Sequence, residues 1–290
     1  MIAGVVFLRR QCRLPDPLLD LRLFRNRAIG TSLAGQLTYS MVGGGLLLFM
    51  TLYFQVVQGM STLQTGLAMM PGMASGALGF MVGPKLASRF RPGYVITAGL
   101  LGVAAVLVVF TQVTGGSVGT AVLIVGFAVM AFCGAPMAGL GTNLVVGSAP
   151  PEKMGSAGSM AQMANEFGGT LGFALLGTVG TAVYRHQVAD AVPAGIPADL
   201  AAAARDSIAG AASAAESLPG QIGAAVLAPA QHAFAYGLNT VAAIGAAVLA
   251  GIAVLVATRL NHIPPIGHAA PDQNQTTPAG VVENADAGMP

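Results

Sequence analysis

Residues 66–93, GLAMMPGMASGALGFMVGPKLASRFRPG, decide the fold class of this chain. The stretch begins as an apolar run of the roughly 20 residues that a bilayer-spanning helix needs. It ends in a cluster of three cations, Lys85, Arg89 and Arg91. Four glycines of the run, at spacings of four, three and four, share one helix face. They are Gly72, Gly76, Gly79 and Gly83. Small residues let a neighbouring membrane helix approach closely, so we expect this glycine face to pack against another helix.

The composition of the whole chain agrees with a membrane environment. Of the 290 residues, 54% are apolar and only 8% are charged, whereas soluble domains carry about 25% charged residues. This balance excludes an ordinary soluble domain and makes the lipid bilayer the surrounding medium. The two cysteines, Cys12 and Cys133, show no metal-ligand spacing, and we expect neither a metal site nor nucleic-acid binding.

Six apolar segments are long enough to span a bilayer. They cover about residues 28–54, 66–86, 94–113, 120–140, 156–184 and 233–258. Lipid offers no partner to backbone polar groups, so spanning segments are helices or closed barrels. Continuous apolar runs without alternation favour helices. The predicted fold is therefore all-α and polytopic, with Asn143 placed after the fourth span.

The segments outside these spans define the predicted organisation of the chain. Residues 1–27 combine the end of a preceding helix with a basic cytoplasmic linker, and residues 28–184 form a five-span bundle. Residues 185–232 form an Ala-rich extracytoplasmic loop in which 199–216 is weakly amphipathic. This loop either caps the bundle or tethers two spans, and the tether is favoured. The sixth span then covers 233–260, and the tail 261–290 is predicted to be disordered.

Lysine and arginine predict the orientation of the spans, because cytoplasmic loops carry an excess of both. With residues 9–27 in the cytoplasm, only Arg185 and Arg205 of the 13 basic residues fall outside. The other basic residues are Arg9, Arg10, Arg13, Arg22, Arg25, Arg27, Lys85, Arg89, Arg91, Lys153 and Arg259. We therefore expect a multi-pass protein of the cell membrane with both termini in the cytoplasm.

The turn GPKLASRFRPG at 83–93 carries the first functional signal. We expect the pair Gly83–Pro84 to end the second span, and membrane anchoring alone would account for the cations that follow. The turn also resembles the loop motif of the major facilitator superfamily, G-x-L-a-D-R-x-G-R-R. Four positions match it, namely Gly83, Leu86, Arg89 and Arg91, while Ser88 stands where the family has Asp. The resemblance makes Gly83, Pro84, Arg89 and Arg91 candidate gating residues.

The resemblance extends over about residues 5–260. The segments PLLDLRLFRNR (17–27), YFQVVQGMSTLQTGLAMMPG (53–72) and APMAGLGTNLVVGSAPPEKMGSAGSM (135–160) are similar to the ninth span and later parts of fourteen-span drug:proton antiporters. NEFGGTLGFALLG (165–177) resembles the family's R-Q-x-G-G-x-x-G-x-A-x-x-G run, with Asn165 and Glu166 in place of Arg-Gln. This pattern corresponds to the C-terminal half of such a transporter.

The resemblance implies that the chain is part of a proton-coupled efflux pump for small apolar or cationic molecules. It implies a proton gradient instead of a bound cofactor, and an N-terminal half that is missing or separate. A different class stays open: a non-transporting six-helix membrane interaction protein, or a truncated remnant of a transporter. An enzyme is disfavoured, since the sequence shows no zinc protease motif, no phosphate-binding glycine loop and no nucleophile–base pair.

A few polar residues inside the spans are candidates for the transport pathway. Glu166 is the only carboxylate well inside a predicted span, and burial would make it a candidate proton carrier. Alternatively, Glu166 lies at the cytoplasmic helix end, where it is hydrated or paired with a cation. Gln36, Tyr39 and Ser40 share a helix face, and Asn239 lies in the sixth span. These four either line the pathway or form hydrogen bonds between helices.

Overall fold

The computed structural model describes residues 26–113, 116–189, 191–193 and 195–260. These residues form α-helices, one π-helical turn and one 3₁₀ turn, and no strand occurs among them. Six helices are long and apolar enough to cross a membrane, so the predicted all-α, six-span fold is confirmed. The predictions for residues 1–25 and for the tail 261–290 lie outside the described residues.

Eight α-helices follow one another along the described chain, with a π-helical turn and a 3₁₀ turn between them. They are α1 (Arg27–Leu52, continued by the π-turn Tyr53–Val57), α2 (Thr62–Arg89), α3 (Pro92–Phe110), α4 (Gly116–Gly147), the 3₁₀ turn Pro151–Lys153, α5 (Met154–Val188), α6 (Ala198–Asp206), α7 (Ile208–Glu216) and α8 (Gly220–Leu260).

Local side chains fix the beginnings of the first two spans. The Asn26 side chain accepts a hydrogen bond of 2.9 Å from the backbone N–H of Ala28. At the start of α2, Ser61 and Gln64 form a reciprocal capping box. Such caps satisfy backbone donors that have no partner within the helix, so each span begins at a defined residue.

Three predicted boundaries are wrong. The pair Gly83–Pro84 does not end the second span, because α2 continues to Arg89 with Pro84 inside it. A proline removes one backbone donor but leaves the hydrogen bonds of the following turn intact. Asn143 lies within α4 instead of after it. The last helix begins at Gly220, well before 233, so the end of the predicted loop 185–232 is helical.

The six spanning helices form two layers. The most extensive contacts pair α1 with α5, α2 with α4, and α3 with α8. Because α1 also touches α4, the front layer runs in the order α2, α4, α1, α5, with α3 and α8 behind it. Exchanging the first three spans (α1, α2 and α3) with the last three (α4, α5 and α8) gives the same three helix pairs. Two three-helix repeats would show this symmetry.

Glycines allow α1 and α5 to meet backbone to backbone. A Cβ at Gly168 would collide with the carbonyl of Leu37, and one at Gly172 would collide with the carbonyl of Met41. A Cβ at Gly44 would come within 2.6 Å of the carbonyl oxygen of Gly169. The tightest contact in the front layer therefore depends on residues without side chains.

The glycine face of α2 lies against α4. A Cβ at Gly72 would enter the ring of Phe127, and a Cβ at Gly79 would lie 2.6 Å from the carbonyl oxygen of Phe132. Gly76 has its nearest neighbour in Ala131 at 3.6 Å. The glycine face of residues 66–93 is thus the face on which α2 packs against α4.

The Ala-rich segment between α5 and α8 is a cap and not a tether. Tyr184 at the end of α5 donates a 2.7 Å hydrogen bond to the carbonyl of Ala204 in α6. Arg185 pairs with Asp206 at 2.6 Å. Ile208 and Ala211 of α7 are buried. The Ala-rich composition favours a tether because alanine gives little hydrophobic contrast along the sequence. The small side chain of alanine nevertheless suits close packing between helices.

The described cations separate to the two ends of the bundle. Asn26 donates to the carbonyl of Ser148 at 3.3 Å, and Gly93 lies against the carbonyl of Leu260. These contacts bring one set of helix ends together, and six cations lie there. They are Arg27, Lys85, Arg89, Arg91, Lys153 and Arg259. Arg185 and Arg205 lie at the opposite end, as the charge pattern predicted.

Candidate functional site

The front layer presents a broad face that no element of the described chain covers. On α4, Val125, Val129 and Phe132 follow at helical spacing and are 62%, 44% and 39% exposed. On α1, Leu47 is 41% exposed, and a Cβ added at Gly43 would meet nothing within 4 Å. This part of the face, the front wall, is apolar.

The front wall could not be predicted from the sequence. The only signal is the spacing of Val125, Val129 and Phe132, but residues 121–141 of α4 are apolar on every face. Without polar contrast around the helix, the sequence does not show which apolar stripe is exposed.

Gln36, predicted to share a polar face of α1, lies between helices. Its side chain is buried, and its amide lies 2.8 Å from the hydroxyl of Thr142 on α4. With its oxygen toward Thr142, its nitrogen donates to the carbonyl of Ala161 on α5 at 3.2 Å. Gln36 therefore joins three helices of the front layer through hydrogen bonds.

Tyr39 and Ser40 also contact neighbouring helices. The ring of Tyr39 packs against Gly134 of α4. Ser40 donates a 2.6 Å hydrogen bond to the carbonyl of Asn165 on α5. Both side chains are half-buried, so they border the front wall while holding α1 to its neighbours.

Asn239 lies in the back layer. Its amide nitrogen donates to the carbonyl of Val113, just after α3, at 3.1 Å. Its Oδ1 atom is buried and accepts no hydrogen bond from the residues that the structure describes. The structure therefore separates Asn239 from Gln36, Tyr39 and Ser40.

The residues of the loop motif lie at the cation-rich end. Arg89 is the last residue of α2, and Arg91 precedes Pro92, the first residue of α3. Ser88, at the position of the family's Asp, donates to the carbonyl of Lys85 at 2.8 Å. The serine thus makes a local hydrogen bond where a carboxylate could pair with an arginine.

A groove of about 420 Å³ separates the cation-rich halves of α2 and α4. Gly79, Phe80, Gly83, Pro84, Pro136, Gly139 and Asn143 are among its lining residues. Glycines and prolines leave room here because they carry no long side chain. The groove is mainly apolar, and the amide of Asn143 supplies a polar group at its wall.

Glu166 lies on the exposed side of α5. It comes two residues before Gly168, about 200° around the helix from the face that packs on α1. Gln162 donates a 2.9 Å hydrogen bond to its Oε1 atom, and this is the only donor to the carboxylate in the described part of the chain. No helix of the described bundle covers the carboxylate.

Two neighbouring helices show how deep Glu166 lies. Gly168 lies against Leu37, ten residues after Arg27, and ten residues of helix rise about 15 Å. Gly245 lies against Val42 and precedes Arg259 by fourteen residues, so Val42 lies about 21 Å from the cation-rich end along α8, in agreement with about 22 Å along α1. Glu166 comes two residues before Gly168, so it lies about 12 Å from that end. About 12 Å is a little more than two helical turns, which places Glu166 inside the span but nearer its cation-rich end than its opposite end.

The described bundle offers an apolar wall, a groove and one carboxylate inside a spanning helix. No group of three or more histidine, cysteine, aspartate or glutamate side chains comes together to hold a metal ion among the described residues.

Comparison with known proteins identifies relatives. A profile of the Major Facilitator Superfamily matches residues 7–173. The multidrug efflux pump LfrA of Mycolicibacterium smegmatis is 32% identical over 248 residues, 84% of this chain and 48% of that protein. The tetracenomycin C resistance and export protein of Streptomyces glaucescens is 33% identical over 181 residues, 62% of this chain and 33% of that protein.

A third relative is the methyl viologen resistance protein SmvA of Salmonella typhimurium. It is 30% identical over 229 residues, 79% of this chain and 46% of that protein. The chain therefore spans about half, or less, of the length of the curated relatives it matches.

Proposed function

The chain belongs to the major facilitator superfamily, and we propose that it forms one six-helix half of a proton-coupled efflux transporter for small molecules. The proposal includes the fourteen-span drug:proton antiporter branch and the C-terminal position of this half. The observation that carries it is the uncovered face of the front layer. A half whose pathway face awaits a second body has this shape.

The low burial of α2 supports two halves. Only 17% of the most apolar 18-residue stretch of α2 is buried, whereas the buried share of the corresponding stretch of α3 in the back layer is 44%. Its exposed residues include Met70, Met73 and Met81. Methionine adapts to varied apolar partners, so this helix suits a surface that meets another helix or a solute.

The front wall supports a substrate with apolar surface. Val125, Val129, Phe132 and Leu47 offer hydrophobic contact and no charge. The relatives are named for multidrug efflux, for tetracenomycin C export and for methyl viologen resistance. We extend this class to small apolar or cationic molecules, with charge supplied by carboxylates such as Glu166 or by the other half.

Proton coupling is part of the same proposal. Glu166 is the only carboxylate inside the described spanning helices, since Glu152 lies in the 3₁₀ turn before α5. A carboxylate at this depth is a reasonable proton carrier. The proposal describes a carrier and not an enzyme.

The test is efflux by the chain with and without a second half. We would express it in a bacterium lacking its own drug exporters, alone and fused behind the unmatched half of the 32%-identical relative. Drug susceptibility and pH-gradient-driven dye efflux from inverted vesicles would be measured. We expect the fusion to lower susceptibility and the chain alone to resemble the empty vector. A well-expressed fusion without efflux would contradict the proposal and favour the non-transporting interaction protein.

A further inference from the structure

The two helices of the back layer carry exposed stripes that run to the cation-rich end of the bundle. On α3, Tyr94, Leu101 and Val108 follow at spacings of seven, which keeps them on one helix face, and all three are exposed. On α8, Val248 precedes Arg259 by eleven residues, which is close to three turns. Both of these residues are exposed as well. The stripe on α3 therefore ends in a tyrosine and the one on α8 in an arginine.

The ends of the two stripes lie near each other. A Cβ at Gly93 would come within 2.6 Å of the carbonyl oxygen of Leu260, so α3 and α8 touch through their backbones there. Tyr94 directly follows the first of these contact residues, and Arg259 directly precedes the second. Arg89, the last residue of α2, lies four residues before Gly93, which an extended chain spans in about 14 Å. We call Arg89, Tyr94 and Arg259 the back corner.

The positive charge of the back corner has no acidic partner among the described residues. Both arginine side chains are exposed, and neither forms an ion pair with a described carboxylate. Near the helix ends on this side, the described chain has six cations and a single carboxylate, that of Glu152 before α5. The corner therefore attracts anions.

The surface that adjoins the arginines within the membrane is apolar. The exposed residues of α3 and α8 away from the helix ends include Leu101, Val108, Ile244, Val248 and Val254. Such side chains are as apolar as lipid tails. Tyrosine is enriched at the membrane–water interface, where its ring meets apolar groups and its hydroxyl meets water. Tyr94 thus marks the level of the lipid headgroups, and the two arginines lie at that level.

From this arrangement we infer that the back corner binds an anionic phospholipid, whose phosphate lies against Arg89 and Arg259 and whose acyl chains follow the stripes of α3 and α8. The planar guanidinium of arginine presents paired donors that match a phosphate group. Basic sites between spanning helices at the cytoplasmic surface suit anionic lipid headgroups. This inference concerns the lipid-facing back layer, so it holds whether or not the chain takes part in efflux.

Two other occupants fit the back corner less well. Free phosphate supplies charge but has no apolar part for the stripes. The tail 261–290 contains Asp272, Glu283 and Asp286 and no lysine or arginine. The first of these acids follows Leu260 by twelve residues, and its surroundings, PDQNQTTP (271–278), are polar. A phospholipid brings the anionic group and the apolar chains together at the required level.

The chain contains no tryptophan, so one introduced tryptophan reports the lipid beside it. Tyr94→Trp places the probe in the back corner. In a separate variant, Tyr236→Trp places it at an exposed position of α8, about 35 Å along the helix from Arg259. The full chain would be reconstituted in phosphatidylcholine with brominated phosphatidylglycerol or brominated phosphatidylcholine. The ratio of quenching gives the affinity for phosphatidylglycerol relative to phosphatidylcholine at each probe.

At low salt we expect phosphatidylglycerol to be favoured at least fivefold at Tyr94→Trp, because one basic residue near an anionic surface contributes about fivefold in affinity. Adding Arg89→Gln and Arg259→Gln together should bring this ratio below two. The ratio at Tyr236→Trp should stay below two in every variant. A ratio near one at Tyr94→Trp would overturn the inference, as would a preference that survives removal of both arginines.

A matched arginine at the same end of the bundle separates a site from diffuse attraction. Arg27 begins α1 in the front layer and is also exposed. Arg27→Gln should leave the preference at Tyr94→Trp unchanged, whereas Arg259→Gln alone should lower it at least twofold. An equal loss in these two variants would show general attraction to an anionic surface and would overturn the site.

Two further measurements identify the occupant. Asp272→Asn, Glu283→Gln and Asp286→Asn together should leave the preference for phosphatidylglycerol unchanged. A severalfold rise would show that the tail occupies the back corner, which would overturn the lipid assignment. Sodium phosphate should reduce the preference no more than sodium chloride of equal ionic strength. A larger reduction by phosphate would identify a site for the free anion instead.

Discussion

At the scale of single residues, the position of Glu166 along its span is the property that the sequence could not supply. The sequence shows a lone carboxylate in an otherwise apolar span, but its depth depends on which helix α5 packs against. The contacts of Gly168 with Leu37 and of Gly245 with Val42 supply that depth. Ionisable residues inside membrane helices are rare, and they usually pair with another group or mark a functional site.

The first prediction concerns proton coupling. Glu166→Gln keeps the size and the hydrogen-bond acceptor of the side chain but cannot exchange a proton. We expect pH-gradient-driven efflux by the fusion to fall at least tenfold while its assembly stays unchanged. The measurement is dye efflux from inverted vesicles, with Glu152→Gln as the matched control in the exposed 3₁₀ turn. Unchanged efflux by Glu166→Gln would remove Glu166 from the coupling mechanism.

The second prediction concerns the backbone contact of α1 with α5. A Cβ at Gly172 would collide with the carbonyl of Met41, whereas a Cβ at Gly43 would meet nothing within 4 Å. In an open helix position, alanine is favoured over glycine by about 1 kcal/mol. Overpacking a tight contact typically costs about 1–3 kcal/mol. We expect Gly172→Ala to lower the detergent-solubilised melting temperature and Gly43→Ala to leave it unchanged or raised.

The matched pair of glycines separates packing from helix propensity. Equal melting temperatures for the two variants would show that α1 and α5 separate easily, which would contradict the close backbone contact. The sequence alone identifies both glycines but not which of them faces a neighbour. That difference depends on the three-dimensional pairing of the helices.

At the scale of elements, the spans could be predicted from the sequence, while several of their ends could not. Length and apolarity fix a spanning helix because lipid leaves the backbone no other partner. Helix ends depend on local contacts instead. Pro84 lies inside α2 without ending it, and Gly220 begins α8 in a segment where Gly223 and Pro229 are more typical of a loop than of a helix.

The cap formed by α6 and α7 gives the third prediction. Tyr184 and Arg185 both attach α5 to α6, but only the Tyr184 bond to Ala204 is buried. The Arg185–Asp206 side chains are 57% and 67% exposed, and an exposed ion pair contributes at most about 1 kcal/mol. A buried carbonyl that loses its donor costs about 1–3 kcal/mol.

We therefore expect Tyr184→Phe to accelerate hydrogen exchange in residues 198–216 more than Asp206→Asn does. Exchange of α3 amides, far from the cap, serves as the internal reference. A larger effect of Asp206→Asn would mean that the ion pair and not the tyrosine holds the cap to α5. Equal exchange in both variants and the unchanged protein would support the tether that the composition favoured.

At the scale of the whole molecule, the family and the six-span fold could be predicted from the sequence, whereas the functional face could not. The polar residues Gln36 and Ser40 were visible, but their partners on α4 and α5 follow only from the pairing of the helices. The front wall is apolar like the lipid-facing surface, so composition does not distinguish them. The exposed side of α5 differs in polarity, because Gln162, Glu166 and Thr170 lie on it.

The positions of lysine and arginine predict how the whole molecule is oriented in the membrane. Six described cations, among them Arg27 and Arg259, lie at one end, and Arg185 and Arg205 lie at the other. Because the excess of lysine and arginine stays in the cytoplasm, the cation-rich end should face inward. The cap would then lie outside, and the chain would enter and leave the bundle from the cytoplasm.

Reporter fusions measure this orientation. Green fluorescent protein joined after Leu260 should fluoresce, since it folds in the cytoplasm, and alkaline phosphatase inserted at Gly195 should be active, since it requires the outside. Gly195 has a positive φ of 95° in a turn before α6, so an insertion there interrupts no helix. The matched control inserts the phosphatase at Gly59, also in a turn and on the same side, where activity is again expected. Phosphatase activity from a fusion after Leu260 would mean that the bundle is inverted, and the cytoplasmic assignment of the loop motif would then be wrong.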